Sequence, residues 1–151
     1  MKRTSYADMP CPMAQALERV GEWWSLLILR ECFGGVRRFG DFERRLGIAK
    51  NVLSARLKHL VEAGVLERRA SKEDAREIEY RLTESGKDLA PVLIALAQWG
   101  DRWIYGGKAP VRFVNRHTGA PLADLGLRDD NGERLSLRDL QMQRVGEEGK
   151  E

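Results

Sequence analysis

Two short helical patterns joined at a glycine, two strand-like runs directly behind them, and a long apolar-striped helix predict a mainly α fold with a small β wing. The length of 151 residues suits one domain with an arm and an appendage. Hydrophobic residues make up 42% and charged residues 32%, which supports a packed core and excludes a disordered chain.

The elements follow in order. Residues 1–12 read as an N-terminal arm, because Pro10 and Pro12 around Cys11 discourage helix. Met13, Ala16, Leu17 and Val20 set a helix over 13–20, interrupted at Gly21. Trp23, Trp24, Leu26, Leu27, Ile28, Leu29 and Phe33 fall nearly all round the next helix, 22–33. That distribution predicts a central, buried helix, stopped by Gly34-Gly35. Phe39, Phe42 and Leu46 share one face of a short amphipathic helix. After a turn at Gly47-Ile48, Leu53, Leu57, Leu60 and Val61 give a second helix over 50–63, capped by Gly64. Two short helices joined through such a turn are a helix-turn-helix.

Residues 65–70 and 77–82 mix apolar and charged side chains as a small antiparallel ribbon would, with 71–76 as its tip. A hairpin placed there makes the unit a winged helix-turn-helix. Thr83 is the expected N-cap of a long C-terminal helix to 103, with Pro91 as the place for a kink. Leu89, Val92, Leu93, Leu96, Trp99, Trp103 and Ile104 line its apolar stripe. The main domain thus covers 13–105, followed by a linker at 106–110. Residues 111–145 read as a small β appendage, with a strand at 111–114 and a turn at Asp129-Asp130-Asn131-Gly132. Residues 146–151 are expected to be a disordered tail.

Several function classes drop out. The longest apolar stretch, 89–97, is too short to span a bilayer, and the polar N-terminus is no signal peptide. Two cysteines, Cys11 and Cys32, cannot build a disulfide framework, so a cytoplasmic protein with reduced thiols is expected. His59 and His117 lie far from both cysteines, and no zinc spacing exists, so neither metal nor cofactor is expected. Gly-rich phosphate loops, HExxH and GxSxG are all missing from the sequence. Asp129, Asp130, Glu133 and His117 fit turn and surface roles better than acid–base chemistry, so no enzyme is expected.

The net charge of +3 permits a polyanionic partner without requiring one. Its distribution says more: from Val36 to Leu82 twelve Lys and Arg face eight acids, so this segment alone exceeds the whole-chain surplus. With Leu53, Leu57, Leu60 and Val61 inward, the second helix turns Asn51, Ser54, Ala55, Lys58 and His59 outward. Small polar side chains allow close approach to a groove, an amide can read base edges, and a cation holds phosphate. An ordinary solvated helix face is the plain alternative. The wing behind the helix tips the balance toward DNA. Arg37, Arg38 and Lys50 are expected to hold phosphates beside the helix-turn-helix, and Lys72 and Arg76 to reach from the wing tip.

These residues carry a resemblance. Cys11-Pro12 is followed by Gly21-Glu22-Trp23-Trp24-Ser25-Leu26-Leu27-Ile28-Leu29-Arg30-Glu31, then by Arg37-Arg38-Phe39. Next come Leu53-Ser54-Ala55-Arg56-Leu57-Lys58-His59-Leu60, Glu62-Ala63-Gly64-Val65-Leu66-Glu67-Arg68 and Tyr80-Arg81-Leu82-Thr83-Glu84-Ser85-Gly86. Pro91-Val92-Leu93 and Trp99-Gly100 complete a chain that resembles the HxlR family of bacterial transcriptional regulators over about residues 11–105. The resemblance implies a dimeric winged-helix regulator whose first helix and long C-terminal helix form the dimer interface. Leu17, Leu89, Leu93, Leu96, Trp99 and Trp103 are the residues so implied. Some family members sense oxidants or electrophiles through a cysteine in this Cys-Pro context, which makes Cys11 a candidate redox sensor, while Cys32 reads as an inert buried thiol. Long members often carry Cys-x-x-Cys knuckles in the appendage. Here Arg116-His117-Thr118-Gly119 and Asp129-Asp130-Asn131-Gly132 stand in those places without a cysteine.

The expected function is a sequence-specific regulator binding double-stranded DNA as a homodimer, on a palindromic operator, tuned by an oxidant, an electrophile or another small-molecule effector. A winged-helix module that binds protein instead of DNA is the alternative, with the acids Glu73 and Asp74 at the wing as its signal.

Overall fold

The computed structural model describes residues 5–146. The first four residues of the expected arm and the expected tail beyond Gly146 lie outside the described residues. The described part of the arm folds back on the first helix, α1 (Pro12–Val20). The Gln15 amide donates to the carbonyls of Tyr6, Ala7 and Met9, and the Glu18 carboxylate accepts from Tyr6 N and Ser5 Oγ. Pro12 opens α1 rather than preventing it, since a first-turn proline loses no helical hydrogen bond.

Helix α2 (Trp23–Phe33) buries Ile28 and Leu29 completely. Its expected all-round burial does not hold, because Trp23 in the first turn is 88% exposed. An acid is buried instead: Glu31 accepts from Arg30 and from Arg45 of the next helix. Helix α3 (Phe39–Leu46) turns Phe42 into the core and ends where Gly47 takes φ +63, a left-handed conformation that favours glycine. Helix α4 (Lys50–Glu62) buries Leu53, Leu57 and Leu60. Gly64, at φ +73, lets Val65 N reach back to Leu60 O.

Strands β1 (Leu66–Ala70) and β2 (Ile78–Leu82) pair antiparallel, from Leu66 opposite Leu82 to Ala70 opposite Ile78. The segment before α3 lies along β2: Tyr80 N donates to Arg37 O, and Arg38 bridges to Glu79. The expected long C-terminal helix is two helices, α5 (Glu84–Lys87) and α6 (Ala90–Trp103). Thr83 caps α5 by accepting from Gly86 N. Pro91 sits in the first turn of α6, where its ring is tolerated, so it marks a new start and not a kink. The first core gathers Val20, Ile28, Leu29, Phe42, Ile48, Leu53, Leu57, Leu60, Val65, Leu66 and Leu93.

The chain divides into two units between Leu93 and Ile94, inside α6. In the second unit, Gln98 holds the segment after α6 at two points: Nε2 donates to Ala123 O and Oε1 accepts from Leu125 N. Asp101 accepts from Ala109 N. The expected β appendage is mostly turns. Its ladders shrink to single bridges at Val114–Pro121 and Arg128–Arg134, followed by a short 3-10 helix, Leu137–Asp139. Pro121 cannot donate to a ladder, and Val111 is exposed, so the 111–114 strand has nothing to extend against. The turn at Asp129 does form, its carboxylate accepting from Asn131 N and Glu133 N.

Candidate nucleic-acid interface

Burying Leu53, Leu57 and Leu60 forces the opposite face of α4 into solvent. Lys50, Asn51, Ser54, Ala55 and Lys58 are exposed there, with no acid among them. Glu62 follows one turn after Lys58, with Nζ and Oε1 4.0 Å apart. A contact this long between exposed groups restrains Lys58 weakly.

His59 lies elsewhere, which corrects its expected place on the outer face. Its side chain is half-buried against α1, with Nε2 3.1 Å from Glu18 O. The cause is α1, which packs against α4 near its C-terminal end and covers the edge of the helix that a free wheel would leave open. Arg56, on the flank, is half-buried with Nη1 3.7 Å from the Glu22 carboxylate.

Arg37 and Lys50 are exposed. Arg38 points at the wing instead of outward. Its Nη2 is 3.1 Å from Glu73 and its Nη1 2.9 Å from Glu77, because the bridge to Glu79 lays this segment along β2. Sequence reasoning missed this clasp; of its two acids it singles out only Glu73, together with Asp74, as a sign against DNA binding. At the tip, Lys72 is exposed and no ion pair reaches it among the described residues. Arg76 is held by Asp74, which accepts from both its backbone and its guanidinium. Those two hydrogen bonds hold the Asp74 carboxyl below the usual range. Arg68 lies over the Tyr80 ring at 5.9 Å, and Arg69 pairs with Glu67 at 2.6 Å.

The apolar residues expected at a dimer surface separate into two groups. Leu93 is 7% exposed and Leu89 packs against the same core, so both serve their own chain, a correction caused by α6 starting beside that core. Leu17, Leu96, Trp99 and Trp103 are exposed, Trp103 at 69%. Burying one large apolar side chain is worth roughly 1.5–3 kcal/mol, so tryptophans left in water are a strong pull toward a partner surface. Cys11 is half-buried at the N-cap of α1. Cys32 packs against the core, and burial, with the Glu31 charge beside it, pushes its thiol up to about 12.

Three comparisons place this arrangement. The family model of HxlR-like helix-turn-helix proteins matches residues 19–107. The chain is 47% identical over 112 residues to Rv3095, an uncharacterized HTH-type transcriptional regulator of Mycobacterium tuberculosis, covering 74% of this chain and 71% of that one. Among solved structures, PA1607, described as a candidate transcription factor, aligns with a TM-score of 0.87 at 40% identity, over 93% of this chain and 99% of that one. The oxidized form of the redox regulator HypR aligns with a TM-score of 0.55 at 26% identity, over 67% of this chain and all of that one. No helix among the described residues is long and apolar enough to cross a membrane. Relatives named as transcriptional regulators, a winged-helix fold and a family match over more than half its length put the chain in one place: it belongs to the HxlR-like helix-turn-helix family of transcriptional regulators.

Proposed function

We propose that the protein is a cytoplasmic regulator that binds double-stranded DNA sequence-specifically as a homodimer. The observation that carries the reading is the outer face of α4, where Lys50, Asn51, Ser54, Ala55 and Lys58 are exposed together without an intervening acid. In this reading α4 enters the major groove, Asn51 and Ser54 meet base edges, and Lys50, Lys58 and Arg37 hold phosphates. Lys72 reaches the backbone from the wing tip. Arg76 joins it by giving up Asp74, and Arg38 steadies the wing through Glu73 and Glu77 rather than touching DNA.

Leu17 in the first unit, and Leu96, Trp99 and Trp103 in the second, each supply exposed apolar area for a second copy. A two-fold pair of α4 helices reads a palindrome with half-sites one DNA turn apart, about 34–36 Å. Cys11 is the residue through which an oxidant or electrophile would act, a role supported by its Cys-Pro context and the likeness to HypR.

The test is selection of bound duplexes from a fragmented genome, with the mass of the complex measured in solution. An enriched palindrome bound by two copies is the expected result. A protein that dimerises yet captures no duplex even at low salt refutes DNA binding and favours the protein-binding alternative. Selection repeated with oxidant, on the native chain and on Cys11→Ser, tests the sensor; identical occupancy in both excludes it.

A further inference from the structure

A cleft of about 510 Å³ opens between the end of α2, the two wing strands and α5, within the first unit and apart from the outer face of α4. Ligand sites commonly measure about 300–1,000 Å³, so it is large enough to hold a small molecule. Cys32, Val36, Tyr80 and Leu82 give the cleft an apolar portion and pack on the core behind, while polar and charged groups make up most of its exposed lining. Its rim is cationic, with Arg37, Arg69, Arg81 and Lys87 against two carboxylates, Glu67 and Glu84.

Three of these cations are already engaged. Arg69 holds Glu67 at 2.6 Å, Arg81 holds Glu79 at 2.7 Å, and Lys87 holds Glu84 at 2.9 Å. Arg37 differs: no ion pair reaches its side chain among the described residues, and the Glu79 charge acts on it only at longer range. Its backbone is fixed all the same, since Arg37 O accepts from Tyr80 N at 2.7 Å. One available guanidinium on a fixed backbone, in a cleft that also presents Cys32, Val36, Tyr80 and Leu82, matches one carboxylate attached to a small apolar body. Glu67 and Glu84 on the rim repel a polyanion such as a nucleotide.

We propose that this cleft binds a small organic monocarboxylate, with Arg37 as its anion partner and Cys32, Val36, Tyr80 and Leu82 against its apolar body. A second consequence rests on the DNA reading above: Arg37 cannot serve a ligand carboxylate and a DNA phosphate at once, so the ligand weakens DNA binding.

The site is tested without DNA, by calorimetry of the full chain with benzoate and its neutral analogue benzyl alcohol. Benzoate binds saturably, and benzyl alcohol binds about tenfold or more weakly. Arg37→Ala and Lys87→Glu each weaken benzoate about tenfold, Arg37→Lys recovers part of the loss, and Lys108→Glu, outside the cleft, changes nothing. No saturable heat up to about 20 mM benzoate, equal binding of the alcohol, or indifference to Arg37→Ala overturns the site. Competition is then read as loss of affinity for a selected duplex at saturating benzoate; unchanged affinity overturns the competition. A chain that binds benzoate but no duplex refutes the DNA reading and leaves the site standing.

Discussion

Arg45 of α3 donates through Nε to the Glu31 carboxylate of α2 at 2.6 Å, and that carboxylate is only 9% exposed. Arg30 takes the other oxygen at 2.8 Å. The first helix of the helix-turn-helix is therefore tied to the central helix through a buried carboxylate whose two guanidinium partners stand about half in solvent.

This tie makes stability depend on pH in a defined direction. Burial alone would raise the Glu31 carboxyl, but the hydrogen bonds and charges of Arg45 and Arg30 outweigh it and bring it below its ordinary value. A depressed folded-state value means the contribution is whole above about pH 4.3, the unfolded glutamate value, and is lost as pH falls through the folded one. Urea unfolding across pH should show this loss, and Glu31→Gln should remove that part of the pH dependence. At pH 7, Glu31→Ala should cost about 1–3 kcal/mol. A native pH profile unchanged by Glu31→Gln would contradict the assignment.

Lys58 and His59 are neighbours in sequence with separable roles. Lys58→Ala should weaken duplex binding and flatten the salt dependence, with the log–log slope changing by about 0.9 for one lost phosphate contact. His59→Ala should leave that slope alone and lower unfolding free energy by about 1 kcal/mol, because its ring meets Glu18 O of α1. Mobility shifts over a salt series, beside chemical denaturation, distinguish the two. The reverse pattern would put His59 and not Lys58 on the DNA.

Two glycines should respond oppositely to alanine. A Cβ at Gly86 would stand 2.3 Å from Val65 O, a backbone atom with little freedom to move, so Gly86→Ala should destabilise by about 1–3 kcal/mol. A Cβ at Gly40 in α3 meets nothing within 4 Å, so Gly40→Ala should stabilise by about 0.5 kcal/mol. Melting temperatures report both signs directly.

The two thiols should separate under alkylation. With its thiol pushed up to about 12, Cys32 has little thiolate at pH 8. In a Cys11→Ser chain, folded protein should react with iodoacetamide about a thousandfold more slowly than the same chain in urea, because thiolate is the reacting species and is that much scarcer in the folded state. Equal rates would show that the Cys32 thiol is not raised in the folded chain.

The helix-turn-helix was legible because Leu53, Leu57 and Leu60 repeat at helical spacing, and Gly47 and Gly64 mark turns whose left-handed backbone glycine adopts cheaply. Periodicity describes one helix at a time, and it failed where a second element intervened. It put His59 outside because α1 was absent from the wheel. It made α2 buried all round because it could not say which side of the helix Trp23 would take. It sent Arg38 toward phosphate because the bridge to β2, which turns it to Glu73 and Glu77, joins residues far apart in sequence. In the appendage the turn chemistry of Asp129 was readable, being local, whereas strand pairing was not, being non-local.

The Gln98 side chain uses both ends of one amide to hold Ala123 and Leu125. In polymer terms it closes a loop over a separation of 25 residues, so residues 98–123 form a ring pinned at its base. Closure entropy grows only with the logarithm of loop length, and doubling a loop costs about 0.6 kcal/mol. Chain length within that ring is therefore a cheap variable, while the identity of the residue that fastens its base is not. Foreign segments should be accommodated in its exposed turn at Thr118-Gly119, and lost from a chain carrying Gln98→Leu.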